Sequence, residues 1–113
     1  MIKVGTDIVQ ISRINKKLSQ RILGDKELDI FNLLKTERRK LEFLAGRFAV
    51  KESFVKATGN RLIEFRSINI LMDESGEPYP DEETKKMFGE YEISLSIAHE
   101  KEYAIAVVIL NRE

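Results

Sequence analysis

The stretch 44–59 constrains the fold more than any other part of the sequence, because it predicts the second half of one long helix. The helix should begin after Thr36, a good N-cap residue, and end at Gly59, since glycine commonly closes helices. At about 100° per residue, apolar side chains fall on two opposite faces. One face carries Leu41, Leu44, Ala45, Phe48 and Val55, and the other carries Phe43, Val50, Phe54 and Ala57. We therefore expect the helix to be covered on both sides, by the chain's own sheet or by another subunit.

Glu52 lies in the middle of the first apolar face, and Lys56 follows one turn later. A carboxylate inside an apolar stripe needs a cation or strong hydrogen-bond donors, because an uncompensated buried charge is costly. Two interpretations stay open. Glu52 and Lys56 form a surface ion pair worth about 0.2–0.5 kcal/mol, or Glu52 is a metal-ligating or catalytic carboxylate at the mouth of a cleft.

The overall composition limits the classes of function. A chain of 113 residues is expected to form a single domain, residues 1–113. Its core is small, so oligomerisation would help to stabilise it. Charged residues make up 34% of the chain, yet the net charge is zero, which argues against a nucleic-acid binder. The lack of cysteine excludes disulfides and thiolate chemistry. Neither a membrane helix nor a signal-peptide core is predicted, so we expect a cytoplasmic protein without a membrane partner.

The beginning of the chain predicts a short strand, because Ile2, Val4 and Thr6 alternate with other residues. Asp7 lies near the predicted end of this strand. A carboxylate at such a position can line a cleft, but it can equally be a turn or capping residue.

A first helix is predicted over about 13–23, with Ser12 as its cap. One face of that helix is basic and carries Arg13, Lys16, Lys17, Gln20 and Arg21. Because the whole chain is neutral, this local excess of positive charge indicates an acidic partner, although an ordinary solvated face stays open.

The remaining patterns predict an α+β fold, in which an antiparallel sheet packs on one long central helix with short helices around it. The other predicted elements are a helix at 26–34, a strand at 65–72, a turn at 73–78, one or two helical turns within 80–89, and hairpin strands at 93–98 and 103–110. Four residues, 99–102, should connect the hairpin. The small residues Ser96, Ala98, Ala104 and Ala106 should form one face that the long helix approaches closely.

Several basic residues are candidate anion binders. Arg38, Arg39 and Lys40 lie in the first turns of the long helix, where the helix dipole favours acids instead. Either an anion binds nearby or the cluster is simply solvated. His99, the only histidine, lies at the hairpin turn, where it is an exposed turn residue or a hydrogen-bond donor to phosphates.

These residues together indicate phosphate chemistry. Asp7 and Glu52 are two hard oxygen ligands, and the candidate anion binders are Arg39, Arg47, Lys56 and His99. Two carboxylates are too few for an all-protein metal site, but they suit Mg²⁺, which keeps waters and fills its shell with phosphate oxygens. The expected substrate therefore carries a diphosphate.

Motifs along essentially the whole chain resemble one known family. They are Gly5-Thr6-Asp7-Ile8, Arg13-Ile14, Arg21-Ile22-Leu23 with Glu27 after it, the segment 43–57, the turn at 73–78, Leu95-Ser96-Ile97-Ala98-His99 and Glu102-Tyr103-Ala104. The most specific part runs from Arg47 to Ala57, with the pattern Arg-Phe-Ala-x-Lys-Glu-x-Phe-x-Lys-Ala. In these motifs the chain resembles holo-acyl-carrier-protein synthase, the small bacterial-type branch of the 4′-phosphopantetheinyl transferases.

The resemblance implies the 4′-phosphopantetheinyl transferase fold and a reaction. The 4′-phosphopantetheine arm of coenzyme A is transferred to a serine hydroxyl of apo-acyl carrier protein, as in fatty acid biosynthesis, and adenosine 3′,5′-bisphosphate is released. Asp7 and Glu52 would ligate Mg²⁺, which bridges to the diphosphate, and Lys56 would contact the phosphates. Glu52 would also be the candidate acceptor of the serine proton, so these three residues would be the catalytic ones.

The resemblance also implies the binding surfaces. Arg47 and His99 match positions that reach the nucleotide end of coenzyme A with its 3′-phosphate, and Arg38 and Arg39 match a basic pair near the same end. The acidic recognition helix of the carrier would dock on Arg13, Lys17 and Arg21, with Lys16 on the same predicted face. The family is typically a homotrimer with active sites across subunit boundaries, which would account for the two-faced long helix.

The chain departs from the family pattern in three places. The segment between Asn15 and Arg21 is short, the loop 58–62 has a single glycine, and Val55 stands where some relatives have serine. Two other functions stay open. A Mg²⁺-dependent hydrolase of a diphosphate would use the same carboxylates, and a non-catalytic carrier-binding module would use only the basic face.

Overall fold

Five strands and four α-helices follow one another in the computed structural model, which describes residues 1–113. The strands are β1 (Ile2–Gln10), β2 (Ile70–Met72), β3 (Pro78–Pro80), β4 (Glu92–His99) and β5 (Tyr103–Asn111), and the helices are α1 (Ser19–Ile22), α2 (Asp25–Leu33), α3 (Glu37–Thr58) and α4 (Glu82–Met87). Short 3₁₀ turns occupy Ile11–Arg13, Lys16–Leu18 and Phe65–Ser67. The predicted α+β class is confirmed. None of the helices combines the length and the apolar character that a membrane crossing requires.

Helix α3 begins and ends where the sequence predicts. The Thr36 hydroxyl accepts a hydrogen bond from the Arg39 N–H at 3.1 Å, and Gly59 adopts a left-handed φ of 72°. Both apolar faces are covered within the chain. The main core cluster takes Ala45, Val50, Phe54 and Ala57, and a second cluster, which also contains Ile22, Leu23 and Phe31, takes Phe43 and Leu44, so each cluster draws on both predicted faces. Covering α3 therefore requires no second subunit.

The main sheet places Asp7 inside a strand. Its three strands are antiparallel in the order β1-β5-β4, while β2 and β3 form a separate pair. Strand β1 is nine residues long, longer than predicted, and Asp7 pairs with Ala106 in its interior. The prediction that Asp7 lies near the end of the strand is therefore wrong, and a turn or capping role is excluded.

Gly5 lets α3 lie directly against β1. A Cβ atom at Gly5 would stand 1.9 Å from the Ser53 carbonyl oxygen and 2.7 Å from the Ala57 nitrogen, so only glycine fits. This backbone-to-backbone contact fixes the distance between β1, which carries Asp7, and the last turns of α3, which carry Glu52 and Lys56.

The predicted small-residue face is divided between the two sides of the sheet. Ser96 pairs with Val107 and Ala98 pairs with Ile105, so both lie on the side away from α3, whereas Ala104 and Ala106 are buried against the helix. The prediction was wrong because the antiparallel register, which the alternation alone does not fix, decides which residues share a face.

The outer face of the main sheet is apolar and exposed. Its large apolar side chains, between 36% and 66% exposed, are Ile2, Val4, Ile8, Tyr103, Ile105 and Ile109. We call this surface the outer sheet face. Exposed apolar surfaces of this kind commonly mark an interaction site.

The predicted helix over 13–23 is wrong. Residues 11–22 form two 3₁₀ turns and the four-residue helix α1 instead. The chain is extended at Ile14, with φ −84° and ψ 134°, and the Asn15 side chain accepts a hydrogen bond from the Lys17 N–H at 2.9 Å. An asparagine that caps a new turn competes with a continuous helix, and Ser12 makes no cap.

The predicted strand at 65–72 is correct only at its end, where β2 lies. Phe65–Ser67 is a 3₁₀ turn instead. The Phe65 carbonyl accepts hydrogen bonds from Lys51 Nζ and the Ile68 N–H, and the Glu64 carbonyl accepts one from the Ser67 N–H, so these groups are not available to a strand. The helices predicted at 26–34 and within 80–89 are confirmed as α2 and α4. The terminal hairpin is confirmed too, although its connection has three residues rather than four, since His99 still belongs to β4.

Candidate active site

Asp7, Glu52 and Lys56 come together where β1 packs on the C-terminal half of α3. Lys56 Nζ lies 2.9 Å from Asp7 Oδ1; the Asp7 side chain is 16% exposed and that of Lys56 is 52% exposed. Lys56 therefore pairs with Asp7 rather than with Glu52, and the surface ion pair considered for Glu52 does not form. The half-buried Glu52 carboxylate has no hydrogen-bond or ion-pair partner within the chain, which leaves it available to a ligand.

Two hollows meet at Glu52. The larger, which we call the carboxylate cleft, has a volume of about 640 Å³, and its lining includes Asp7, Arg13, Phe48, Glu52 and Tyr103. The smaller, which we call the basic recess, has a volume of about 370 Å³ and is lined by Glu52, Val55, Lys56, Arg61 and Phe65. Glu52 is thus positioned between an open cleft and a recess with two cations.

Arg61 is a site residue that the sequence reasoning missed. It is exposed, forms no ion pair, and lies in the basic recess with Lys56. The left-handed Gly59 and the Asn60 side chain, which accepts a hydrogen bond from the Leu62 N–H at 2.9 Å, form the tight turn that carries it. Its position five residues after Lys56, in the loop that closes α3, was the available signal.

The donor set at the carboxylate cleft fits one kind of metal. The chain has no group of three or more histidine, cysteine or acidic residues that could hold a metal ion. Asp7 and Glu52 supply only two hard oxygen ligands at the cleft. Such a pair fits Mg²⁺ that keeps water and substrate oxygens in its shell, and it does not fit a closed all-protein site.

Arg39, Arg47 and His99 come together in a separate cavity of about 100 Å³, which we call the arginine cavity. Glu42 and Met72 also line it. None of these residues lines the carboxylate cleft or the basic recess. The residues predicted as one constellation therefore form two groups within a single chain.

Arg47 is buried with one donor unused. Its Nε donates to the Ile70 carbonyl at 3.0 Å, and its guanidinium lies 4.2 Å from the centre of the Phe43 ring. The Nη2 atom is buried without any hydrogen-bond partner. Burial lowers the pKa of Arg47 to about 10, against the opposing effect of Glu27, so the side chain is still a cation at neutral pH. A buried donor without a hydrogen-bond partner is costly, and an anion bound at Nη2 would supply one.

Arg38 has a structural role, unlike the neighbouring Arg39. Its Nη2 donates to the carbonyl groups of Glu100 and Lys101, and its Nε bonds Glu42 at 2.9 Å. Glu42 in turn lies 3.7 Å from His99 Nδ1. Arg38 thus holds the hairpin turn and is not free to join Arg39 as a basic pair.

The predicted docking residues are exposed, but they do not form one helical face. Arg13, Lys17 and Arg21 make no ion pair within the chain, while Lys16 pairs with Glu37 at 2.5 Å. Arg13 also borders the carboxylate cleft. Three cations without acidic partners therefore lie on the segment that leads into the cleft.

Comparison with known proteins decides the family. Residues 3–108 match the family profile of the 4′-phosphopantetheinyl transferase superfamily. The chain belongs to this superfamily. The resemblance found in the sequence is thereby confirmed, and the α+β fold around α3 is the fold of a 4′-phosphopantetheinyl transferase.

Relatives match this transferase along its whole length. The holo-[acyl-carrier-protein] synthase of Petrotoga mobilis is 46% identical over 112 residues, which cover 95% of this chain and 93% of that protein. The structure of a holo-(acyl-carrier-protein) synthase from Bacillus anthracis in complex with CoA (3′,5′-ADP) has a TM-score of 0.85 at 37% identity, covering 98% of this chain and 96% of that one. The Helicobacter pylori holo-[acyl-carrier-protein] synthase in complex with coenzyme A has a TM-score of 0.75 at 29% identity, covering 96% and 99%.

Proposed function

We propose that the chain is a holo-[acyl-carrier-protein] synthase, which transfers the 4′-phosphopantetheine group of coenzyme A to a serine hydroxyl of apo-acyl carrier protein. The observation that carries this proposal is the pair of carboxylates, Asp7 and Glu52, in a cleft that Arg13 also lines, with Lys56 at 2.9 Å from Asp7. The relatives with that name match the chain end to end. The reaction would serve fatty acid biosynthesis, and the chain as a whole, residues 1–113, would act as one transferase domain.

The proposed metal is Mg²⁺, held by Asp7 and Glu52. The fit rests on two hard oxygen donors in one cleft without a third acidic ligand. When bound, the ion would neutralise charge on the transferring phosphate. The residues of the chain supply the rest of the chemistry, which is positioning and proton transfer.

In the proposed step, the serine oxygen forms a bond to the phosphorus that bears the pantetheine arm. The bond from that phosphorus to the bridging oxygen breaks, and adenosine 3′,5′-bisphosphate leaves with that oxygen. Glu52 accepts the serine proton, directly or through a water, because its carboxylate has no partner in the chain and lies between the cleft and the recess. Lys56 and Arg61 bind the diphosphate, which carries two negative charges.

The arginine cavity is the proposed binding site for the nucleotide end. Arg39, Arg47 and His99 would hold the 3′-phosphate, and the buried unpartnered Nη2 of Arg47 supports an anion there. A phosphate at this atom would satisfy the one buried side-chain donor that lacks a partner.

The proposed carrier-docking segment is formed by Arg13, Lys17 and Arg21. An acidic helix of the carrier would supply the counter-charges that the chain lacks at these positions. Replacing Arg13 and Arg21 together by glutamate should raise the KM for the carrier at least about tenfold and leave the KM for coenzyme A nearly unchanged. Equal effects on both KM values would contradict a docking role.

We also propose a homotrimer. The outer sheet face gives each chain an exposed apolar surface through which copies can associate. The arginine cavity and the carboxylate cleft are separate within one chain, and a second copy could bring its arginine cavity next to the carboxylate cleft of the first. Sedimentation at micromolar concentration should detect a trimer, and a purely monomeric species would contradict this. The proposed location is the cytoplasm, where the thiol of coenzyme A stays reduced.

Product analysis tests the proposed reaction against its two alternatives. The protein is incubated with coenzyme A, Mg²⁺ and apo-acyl carrier protein, and the small-molecule products are identified. Transfer releases adenosine 3′,5′-bisphosphate in the same amount as modified carrier. A hydrolase would release free phosphopantetheine and leave the carrier unmodified, and a carrier-binding module would release neither.

A further inference from the structure

A buried ion pair lies at the centre of the molecule, outside the site residues described so far. The side chains of Lys51 and Glu27 are both 0% exposed, and Lys51 Nζ lies 2.5 Å from Glu27 Oε1. Lys51 also donates to the carbonyl groups of Ile22 at 2.6 Å and Phe65 at 2.8 Å. All three donor positions of the ammonium group are therefore used. Lys51 follows Leu44 by seven residues, or about two turns, so helical spacing alone places it on the same apolar face of α3 as Leu44.

Glu27 extends this network to two more backbone groups. Its Oε1 accepts a hydrogen bond from the Gly24 N–H at 2.9 Å, and its Oε2 accepts one from the Ile70 N–H at 2.8 Å. Burial lowers the pKa of Lys51 to about 8, against the opposing effect of Glu27, so at neutral pH the ammonium is charged. Both charges are thus hydrogen-bonded, and four backbone groups are tied to two side chains.

Three of these backbone groups lie next to different parts of the proposed site. Ile22 follows directly after the docking residue Arg21, and Phe65 lines the basic recess. The carbonyl of Ile70 accepts the hydrogen bond from Arg47 Nε at 3.0 Å. The docking segment, the basic recess and the arginine cavity are therefore linked to Lys51 and Glu27 through the backbone of Ile22, Phe65 and Ile70.

We propose that Lys51 and Glu27 are positioning residues that couple carrier docking to coenzyme A binding. The inference rests on the proposed transferase function. Stability alone is a weak reason for such a pair, because well-packed apolar residues of similar volume often replace buried ion pairs without loss of stability. A pair that connects three binding surfaces has a further role, since displacing the carbonyl of Ile22 displaces the recess wall at Phe65 through the same ammonium group.

The test uses the double variant Lys51→Met with Glu27→Leu, which removes both charges and retains similar volume. The free energy of unfolding, the KM values for carrier and coenzyme A, kcat, and the affinity for coenzyme A with and without carrier are measured in the full-length protein. We expect near-parental unfolding, a kcat/KM for the carrier reduced about tenfold, and an affinity for coenzyme A that no longer depends on the carrier. Val108→Ala, a core change outside the network, is the control that loses stability but keeps the coupling.

Parental kinetics and coupling in a folded double variant would overturn the inference. If the double variant does not fold, Glu27→Gln decides the question, because the carboxamide has one acceptor oxygen where Glu27 uses two. A folded Glu27→Gln protein should lose coupling, and unchanged coupling would overturn the inference in the same way. An inactive parent protein would overturn the proposed function itself, whereas an active parent with unaffected variants would overturn this inference alone.

Discussion

The substitution Gly5→Ala should separate the two elements that carry the catalytic residues. The new Cβ would lie 1.9 Å from the Ser53 carbonyl oxygen and under 3.0 Å from the Ala57 nitrogen. Both contacts are with backbone atoms, so no rotamer change relieves them, and β1 must move from α3 by at least about 1 Å. Asp7 lies two residues along the strand, and its 2.9 Å contact with Lys56 would lengthen with that movement.

We expect Gly5→Ala to lower the free energy of unfolding by about 3 kcal/mol, the upper end for overpacking a core, because backbone atoms relax less than side chains. Urea unfolding measures this change, and the transfer assay measures the accompanying loss of kcat. Gly89→Ala is the matched control, since its Cβ would meet only the Lys86 carbonyl at 3.3 Å. A Gly5→Ala protein with parental stability and activity would refute the packing argument.

Three further predictions concern charge. Glu52→Gln should abolish turnover while unfolding stays parental, because the shape is kept and a metal ligand and proton acceptor is lost; near-normal kcat would contradict the assignment. Arg61→Gln should raise the KM for coenzyme A about tenfold, whereas Lys86→Gln, at a 74% exposed position, should not. Burial alone would raise the pKa of Asp81, but the hydrogen bonds from Thr84 and the ion pair with Lys26 together outweigh it and lower the pKa. The stability that Asp81 contributes is therefore present above the pKa of the unfolded state and is lost as the pH falls through the pKa of the folded state. In acid unfolding, the parent protein should be more stable than Asp81→Asn above this pH range, and the difference should disappear below it.

The sequence was sufficient for those elements whose boundaries are set by local chemistry. Thr36 and Gly59 fixed the ends of α3 because a hydroxyl cap and a left-handed glycine act within one turn. The terminal hairpin followed from alternation over two full strands. The 13–23 helix failed because Asn15 caps a new turn, a competition between two local structures that the apolar spacing does not resolve.

Long-range pairing was what the sequence left undetermined in the site. The spacing of Glu52 and Lys56 favours a pair on one helix, but the strand brings Asp7 to 2.9 Å from Lys56 instead. Arg38 and Arg39 look equivalent in sequence, yet only the folded hairpin provides carbonyl groups that occupy Arg38. The buried Lys51 forms its ion pair with Glu27, twenty-four residues earlier, and no local sequence pattern predicts that partner.

The central claim is a metal-dependent group transfer at Asp7 and Glu52, and intact-protein mass spectrometry of apo-acyl carrier protein tests it most directly. The carrier is incubated with the parent protein, coenzyme A and Mg²⁺, and parallel reactions contain EDTA or the Glu52→Gln variant. We predict that the carrier gains the mass of one phosphopantetheine group in the first reaction only. A gain that persists in EDTA would contradict the metal assignment, and an unmodified carrier that a known transferase does modify would contradict the proposed reaction.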